Sequence, residues 1–421
     1  MKAMSERESS AQRHEGAHRG LIERLALFLF AEAFCLGMVV PALPSLLEGS
    51  DSIGRGSDTD GFSVVTTGAL LFASYAAAQF VSAPIIGRLS DRIDRRVFVQ
   101  ASLGTAAASY LVLAMAETSG PMLTARAVAG FAGSVWLPAN SAIGVIIVPK
   151  ERPSAFAKLG GASALGFILG PVAGGIFAQF GDTLPVWLAA FLSGIAFVAS
   201  GLFLNQPEKI DNTRFENLSL VVGKHSGIFG RHFPQIAALF LVQLVFRSQP
   251  FLWPFYLTVV FGLNSAVVGL AVGTYALSML LTQLFAAGRL SAMFGPRRVC
   301  IGGLAIGGMV YGSMVVVTET LVLPIAAAMG FAAALIIPTF QAFITREVAS
   351  NRQGQLQGLI SSTIALASMA GPLLMASLLP GGGAGASVPE SPFLAAAALL
   401  ICAMLLVARS GTANLQGAHG S

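Results

Sequence analysis

The sequence predicts an all-α membrane protein of twelve transmembrane helices arranged as two duplicated six-helix bundles. Three observations predict it: the composition is too apolar for a soluble globule, apolar runs of membrane-spanning length follow one another along the chain, and short motifs of the first half return in the second at a nearly fixed offset. Of 421 residues, 55% are hydrophobic and 11% charged, whereas ordinary soluble domains run near 45–50% and about 25%. The mean hydropathy is +0.74. So little polar surface cannot dress a water-soluble body of 43.5 kDa, which excludes a soluble enzyme.

Apolar runs lie near 20–46, 63–87, 97–117, 121–146, 155–179, 184–204, 233–260, 265–288, 298–318, 321–345, 356–379 and 392–409. Each approaches or exceeds the ~20 residues that cross a hydrocarbon core of ~30 Å. The first run follows a polar stretch, residues 1–18. It is too long for a signal-peptide core and lacks a convincing cleavage site, so it is read as a retained first span. The longest interior polar stretch divides the chain into a first bundle (1–205), a linker (206–232) and a second bundle (233–421). Placing the amino terminus in the cytoplasm puts 22 of the 25 Lys and Arg residues in cytoplasmic segments and leaves Arg55 in the outside loops among Glu48, Asp51, Asp58, Asp60 and other acids. Such one-sidedness predicts cytoplasmic termini and a cytoplasmic linker. It also accounts for the net charge of +5 without nucleic acid.

Cys35, Cys300 and Cys402 stand alone in apolar sequence, and all five histidines lie in the termini or the mid-chain polar stretch. Neither a disulfide framework nor a metal centre is expected, and no cofactor is implied. His-Glu-x-x-His and Gly-x-Ser-x-Gly are absent, so the chain is not expected to be an enzyme.

At an offset of 201, Gly87-Arg88-Leu89-Ser90 repeats as Gly288-Arg289-Leu290-Ser291, and Gly170-Pro171 as Gly371-Pro372. At 200, Pro138 matches Pro338 and Arg152 matches Arg352. Duplicated halves of this kind place a substrate site at their interface near the bilayer midplane. In the loop after span two, Gly87 permits close helix approach and Asp91 can cap a neighbouring helix, while Arg92, Arg95 and Arg96 can form charge pairs that break when the halves rock. That reads as a conformational latch. Its second copy carries Ala292 where Asp91 would correspond, so the latch is expected to be asymmetric. Gly166, Gly170, Gly174 and Gly175 give span five a stripe without side chains beside Pro171, which predicts a close, bendable helix contact.

Three charged residues lie well inside spans: Glu32, Arg126 and Arg247. A charge at such depth costs about 2.5–3.5 kcal/mol on insertion scales, which marks these positions as functional. Arg247 shares a helical face with Gln243 and precedes Pro250. Facing the cavity, Arg126 and Arg247 against Glu32 make it net positive, which suits an anionic or zwitterionic ligand. Gln79, Trp136, Asn140, Gln249, Trp253, Tyr256, Gln283 and Gln341 are further candidates for the lining.

These motifs resemble a known family. Gly-x-Leu-Ser-Asp-Arg-x-x-Arg-Arg over 87–96 of this chain is similar to the loop between spans two and three of the major facilitator superfamily, and the resemblance covers essentially the whole sequence. Glu32 followed by Pro41-Ala42-Leu43-Pro44, Arg126-x-x-x-Gly130, and Gly166-x-x-x-Gly170-Pro171-x-x-Gly174-Gly175 resemble its twelve-span drug:proton antiporter branch, which includes tetracycline and multidrug exporters. The branch usually has an acid nineteen residues after the span-four arginine, whereas here that position is Val145. The resemblance implies a proton-coupled exporter of drugs or small organic molecules, multi-pass in a bacterial inner membrane and monomeric, whose partners are its substrate, protons and lipid. It implies proton coupling by Glu32 with Arg126, and a leak-sealing role for the span-five motif. Export of an anionic endogenous metabolite such as a carboxylate siderophore is the alternative that Arg247 raises.

Overall fold

The computed structural model describes residues 2–49, 63–90, 95–133, 135, 139, 143, 147, 151–203, 226–346, 348, 353–379 and 389–417. Every described element is a helix or a helical turn, as expected where no water is available to satisfy backbone groups. Eleven described helices are long and apolar enough to cross a membrane. Span one is Lys2–Val39, continued through a 3-10 turn at Pro41 into Leu43–Glu48. Span two is Val64–Ser90, span three Arg95–Met115, span five Arg152–Ala178 and span six Leu184–Phe203. The second half comprises Ser226–Val259, Ser265–Thr282 with its continuation to Phe294, Pro296–Gly312, Val322–Arg346, Gln353–Leu378 and Ser391–Gly417, which are spans seven to twelve. Residues 206–225 of the expected linker lie outside the described residues. Residues 226–231 are already helical and join span seven across a kink at His232.

Span four departs from the expectation of one continuous helix. Its first part, Ser119–Ala132, stops at Gly133, whose φ of 80° an L side chain rarely adopts. Beyond the break, the Ala139 N–H donates to the Val135 carbonyl at 3.1 Å. Span eight carries a π-turn at Gln283–Ala287, a common device for re-aiming side chains within a helix.

Packing repeats between the halves. Spans one and five, two and four, three and six, and one and six pair in the first half, as do seven and eleven, eight and ten, nine and twelve, and seven and twelve in the second. Contact between halves runs mainly through spans five and eight and through spans two and eleven, the two pairs that one pseudo-two-fold axis interconverts.

Glycines fix the register. A Cβ on Gly170 would lie 2.5 Å from the Phe34 carbonyl oxygen, and one on Gly371 would lie 2.7 Å from that of Leu244. A Cβ on Gly130 would lie 2.2 Å from the Tyr75 carbonyl oxygen, and one on Gly330 the same distance from that of Tyr275. Spans two and four therefore map onto eight and ten at an offset of 200, whereas span one maps onto span seven at 210, because the connection after span one is longer.

The bundle is sealed at one end. Gly175 meets the backbone of Ser265 and Ala266, Gly269 meets the Pro171 carbonyl, and the Ser45 and Ser265 hydroxyls lie 3.1 Å apart. Toward the end where the chain begins, a Cβ on Gly160 or Gly161 of span five would meet nothing within 4 Å.

Candidate functional site

Glu32 and Arg126 come from spans one and four. Glu32 is half-buried, and its Oε1 accepts a hydrogen bond at 3.2 Å from the Val135 N–H, just beyond the break in span four. The bond ties span one to span four at the break. The sequence missed this contact because Gly133 is one of 47 glycines and nothing local marks it as the break.

Arg126 is 8% exposed, and its guanidinium carbon stands 4.8 Å from the centroid of the Tyr75 ring. Tyr75 and Tyr110 of span three lie within electrostatic reach of both charges, Glu32 and Arg126. A recess beside Arg126 is walled by Leu36, Val39, Val40, Leu43, Leu71, Phe72 and Leu113. It offers an apolar surface with one cation at its edge.

The tyrosines are the residues that sequence reading overlooked. Of five in the chain, four form two pairs, Tyr75 with Tyr110 and Tyr275 with Tyr311, related by the same offsets of 200 and 201 as the motifs. That recurrence was a readable signal. In the second pair, Gln249 donates to the Tyr311 hydroxyl and approaches Met329 Sδ at 3.9 Å.

Arg247 is exposed although Phe246 and Ser248 on either side of it are buried. Gln243, which shares its face, is 3% exposed. Gln79 is half-buried, and Gln283 and Gln341 are exposed. Trp253 and Tyr256 differ from the lining role expected of them. They are 3% and 1% exposed, edge-on to Phe393 with ring centroids 5.8 and 4.6 Å away, because burying three aromatic rings together favours the packed interior.

The span-five stripe is close-packed as its composition suggests. Cβ atoms on Gly166 and Gly174 would lie 2.7 and 2.0 Å from the carbonyl oxygens of Phe30 and Met38, and one on Gly37 would lie 2.8 Å from Pro171 Cδ. Gly175 instead faces span eight. In the latch, Gly87 falls within the helix of span two, and Arg95 and Arg96 open span three. Asp91 and Arg92 lie outside the described residues, as do Trp136, Asn140 and Val145.

The sequence profile of the Major Facilitator Superfamily matches residues 25–261 and 235–414. The chain belongs to that superfamily. Among transporters of the superfamily's fold, the nucleoside transporter NupG superposes with a TM-score of 0.76 at 14% identity, over 93% of this chain and 99% of its own. Among curated relatives, the class G tetracycline resistance protein of Vibrio anguillarum is 31% identical over 358 residues, 82% of this chain and 87% of the relative. The class E protein of Escherichia coli is 28% identical over 357 residues, 84% and 86% of the two chains. The protein is a multi-pass membrane protein, a major facilitator built from duplicated bundles.

Proposed function

We propose that this facilitator is a proton-coupled exporter of drugs or small organic molecules, working by alternating access, with Glu32 as the proton-carrying group. The observation that carries the reading is the placement of Glu32: a carboxyl inside span one, hydrogen-bonded to the break in the span that bears Arg126. A carboxyl so placed is poised between desolvation, which favours the protonated form, and nearby positive charge, which favours the ionised form. Loss of its charge on protonation would weaken its hold on span four and alter the field at Tyr75 and Arg126. Relatives whose names state tetracycline resistance support drug efflux over the carboxylate-metabolite alternative.

In this reading the termini face the cytoplasm of a bacterial cell, and the sealed end at Ser45 and Ser265 faces outward, so the conformation is inward-open. The repeated packing pairs support two bundles, taken as 1–205 and 233–421.

The test is uphill transport of tetracycline and a panel of drugs into everted membrane vesicles under an imposed pH gradient. Wild type accumulates substrate. Glu32→Gln, which keeps an acceptor oxygen for Val135 but carries no proton, reaches the membrane in normal amount and shows no gradient-driven uptake. Retained uphill uptake by this variant overturns the assignment.

A further inference from the structure

Each half of the molecule sets one arginine near the first tyrosine of its pair, but the two arginines come from different helices. In the first half the cation is Arg126 of span four, over Tyr75. The register of 200 puts Ala326 at the corresponding place in span ten, where it is fully buried and uncharged. The charge at Tyr275 comes instead from Arg247 of span seven, which interacts electrostatically with that tyrosine. At the register of 210, Arg247 takes the place of Gly37. It is therefore not a duplicated copy of the span-four motif but a cation standing where the first half has a glycine.

Its surroundings leave it available to a ligand. Span seven is 72% buried, more than any other of the eleven spans. It packs against spans eleven, twelve and eight, and to a smaller extent against ten, two and the tip of span one. A helix enclosed in this way presents little surface to lipid, which favours the space between the bundles for the Arg247 side chain. Among the described residues no carboxylate pairs with Arg247. A guanidinium keeps its proton under all physiological conditions, and its five donors suit an oxygen-bearing anion. A permanent cation in a membrane cavity is costly unless an anion meets it.

We propose that Arg247 is the docking point for an ionised oxygen of the transported molecule. The substrates it selects are amphipathic weak acids or zwitterions bearing a carboxylate, enolate or phenolate on an apolar scaffold. The inference deepens the exporter reading by naming the substrate class, yet equilibrium binding to Arg247 requires neither export nor Glu32.

Two dyes on one carbon skeleton test it: fluorescein, an anion with phenolate and carboxylate oxygens, and rhodamine 123, a cation whose carboxylate is esterified. Binding is read by fluorescence anisotropy on the purified protein in nanodiscs. Wild type binds fluorescein more tightly than rhodamine 123. Arg247→Gln weakens fluorescein by about tenfold or more, the scale of a lost hydrogen bond to a charged group, and leaves rhodamine 123 within about twofold or tightens it. Arg247→Lys, which keeps the charge but not the planar fork, falls between wild type and Arg247→Gln for fluorescein. Unchanged fluorescein affinity in Arg247→Gln, equal loss of both dyes, or a wild type that prefers rhodamine 123 overturns the proposal. Should Arg247→Gln not be recovered folded, the wild-type preference and the Arg247→Lys result decide. If Glu32→Gln abolishes uphill transport while Arg247→Gln leaves dye binding untouched, the exporter reading stands and this one falls.

Discussion

A hydrogen bond from the Val135 N–H ties the acid of span one to span four, and its loss is separable from the loss of charge. Glu32→Gln retains an oxygen for the Val135 N–H, whereas Glu32→Ala removes it. Leaving a buried donor unsatisfied costs about 1–3 kcal/mol. The purified Glu32→Ala protein is therefore expected to unfold at a lower temperature than Glu32→Gln, although neither couples to protons; equal midpoints would mean that the Val135 contact contributes nothing to stability. A charge is expensive in a span, so the membrane makes Glu32, Arg126 and Arg247 conspicuous in the sequence. Aromatics carry no such mark. Trp253 and Tyr256 carry polar atoms that suggest a lining role, but their positions relative to Phe393 depend on span twelve, far away in sequence. Tyr75 escaped notice because a tyrosine in an apolar helix has no local mark of function, and its meaning comes from Arg126 standing over it.

Helix contacts on span five make a sharper test of the glycine stripe than transport alone. A methyl at Gly174 would sit 2.0 Å from the Met38 carbonyl, while one at Gly160 on the same helix meets nothing. Forcing the helices apart should make Gly174→Ala destabilising by roughly 1–3 kcal/mol, within the usual range for overpacking. Gly160→Ala should be neutral or slightly stabilising, since Ala exceeds Gly in helix propensity by about 1 kcal/mol. Thermal unfolding of the two variants side by side distinguishes a packing stripe from a run of incidental small residues. Span limits were legible to within a few residues, span two at Val64 and span six at Leu184–Phe203 among them, because the bilayer imposes length and apolarity on each helix separately. The interruption at Gly133 was not legible, since a backbone reversal needs only a glycine, and membrane helices are full of them.

For the molecule as a whole, the contact between Ser45 and Ser265 joins the two bundles at their closed end. In the double variant Ser45→Cys/Ser265→Cys, oxidation should form a disulfide that holds this end shut and stops transport, with activity returning on reduction; full transport by the cross-linked protein would mean that this end does not open during the cycle. An anion leaving against an entering proton moves at least two elementary charges in the same sense, each worth about 2.3 kcal/mol per 100 mV. An imposed potential, negative inside, should therefore speed fluorescein export from proteoliposomes much more than the exchange of a monovalent cation for one proton, and equal voltage sensitivity would count against an anionic substrate. The duplication itself was visible in sequence through Gly170-Pro171 and Gly371-Pro372, but the altered register of span seven, and with it the meaning of Arg247, emerged only from which carbonyl each glycine touches. The described contacts of the seal are uncharged: the backbone of Gly175 against that of Ser265 and Ala266, Gly269 against the Pro171 carbonyl, and two hydroxyls. Dissolved salt screens charges and leaves such contacts nearly untouched. Arg95, Arg152, Arg289 and Arg297 stand at the opposite helix ends, so ionic strength and the headgroup charge of the lipid are expected to act more on that gate than on the seal, and the resting balance between the two open states to depend on the surrounding membrane as well as on the polypeptide.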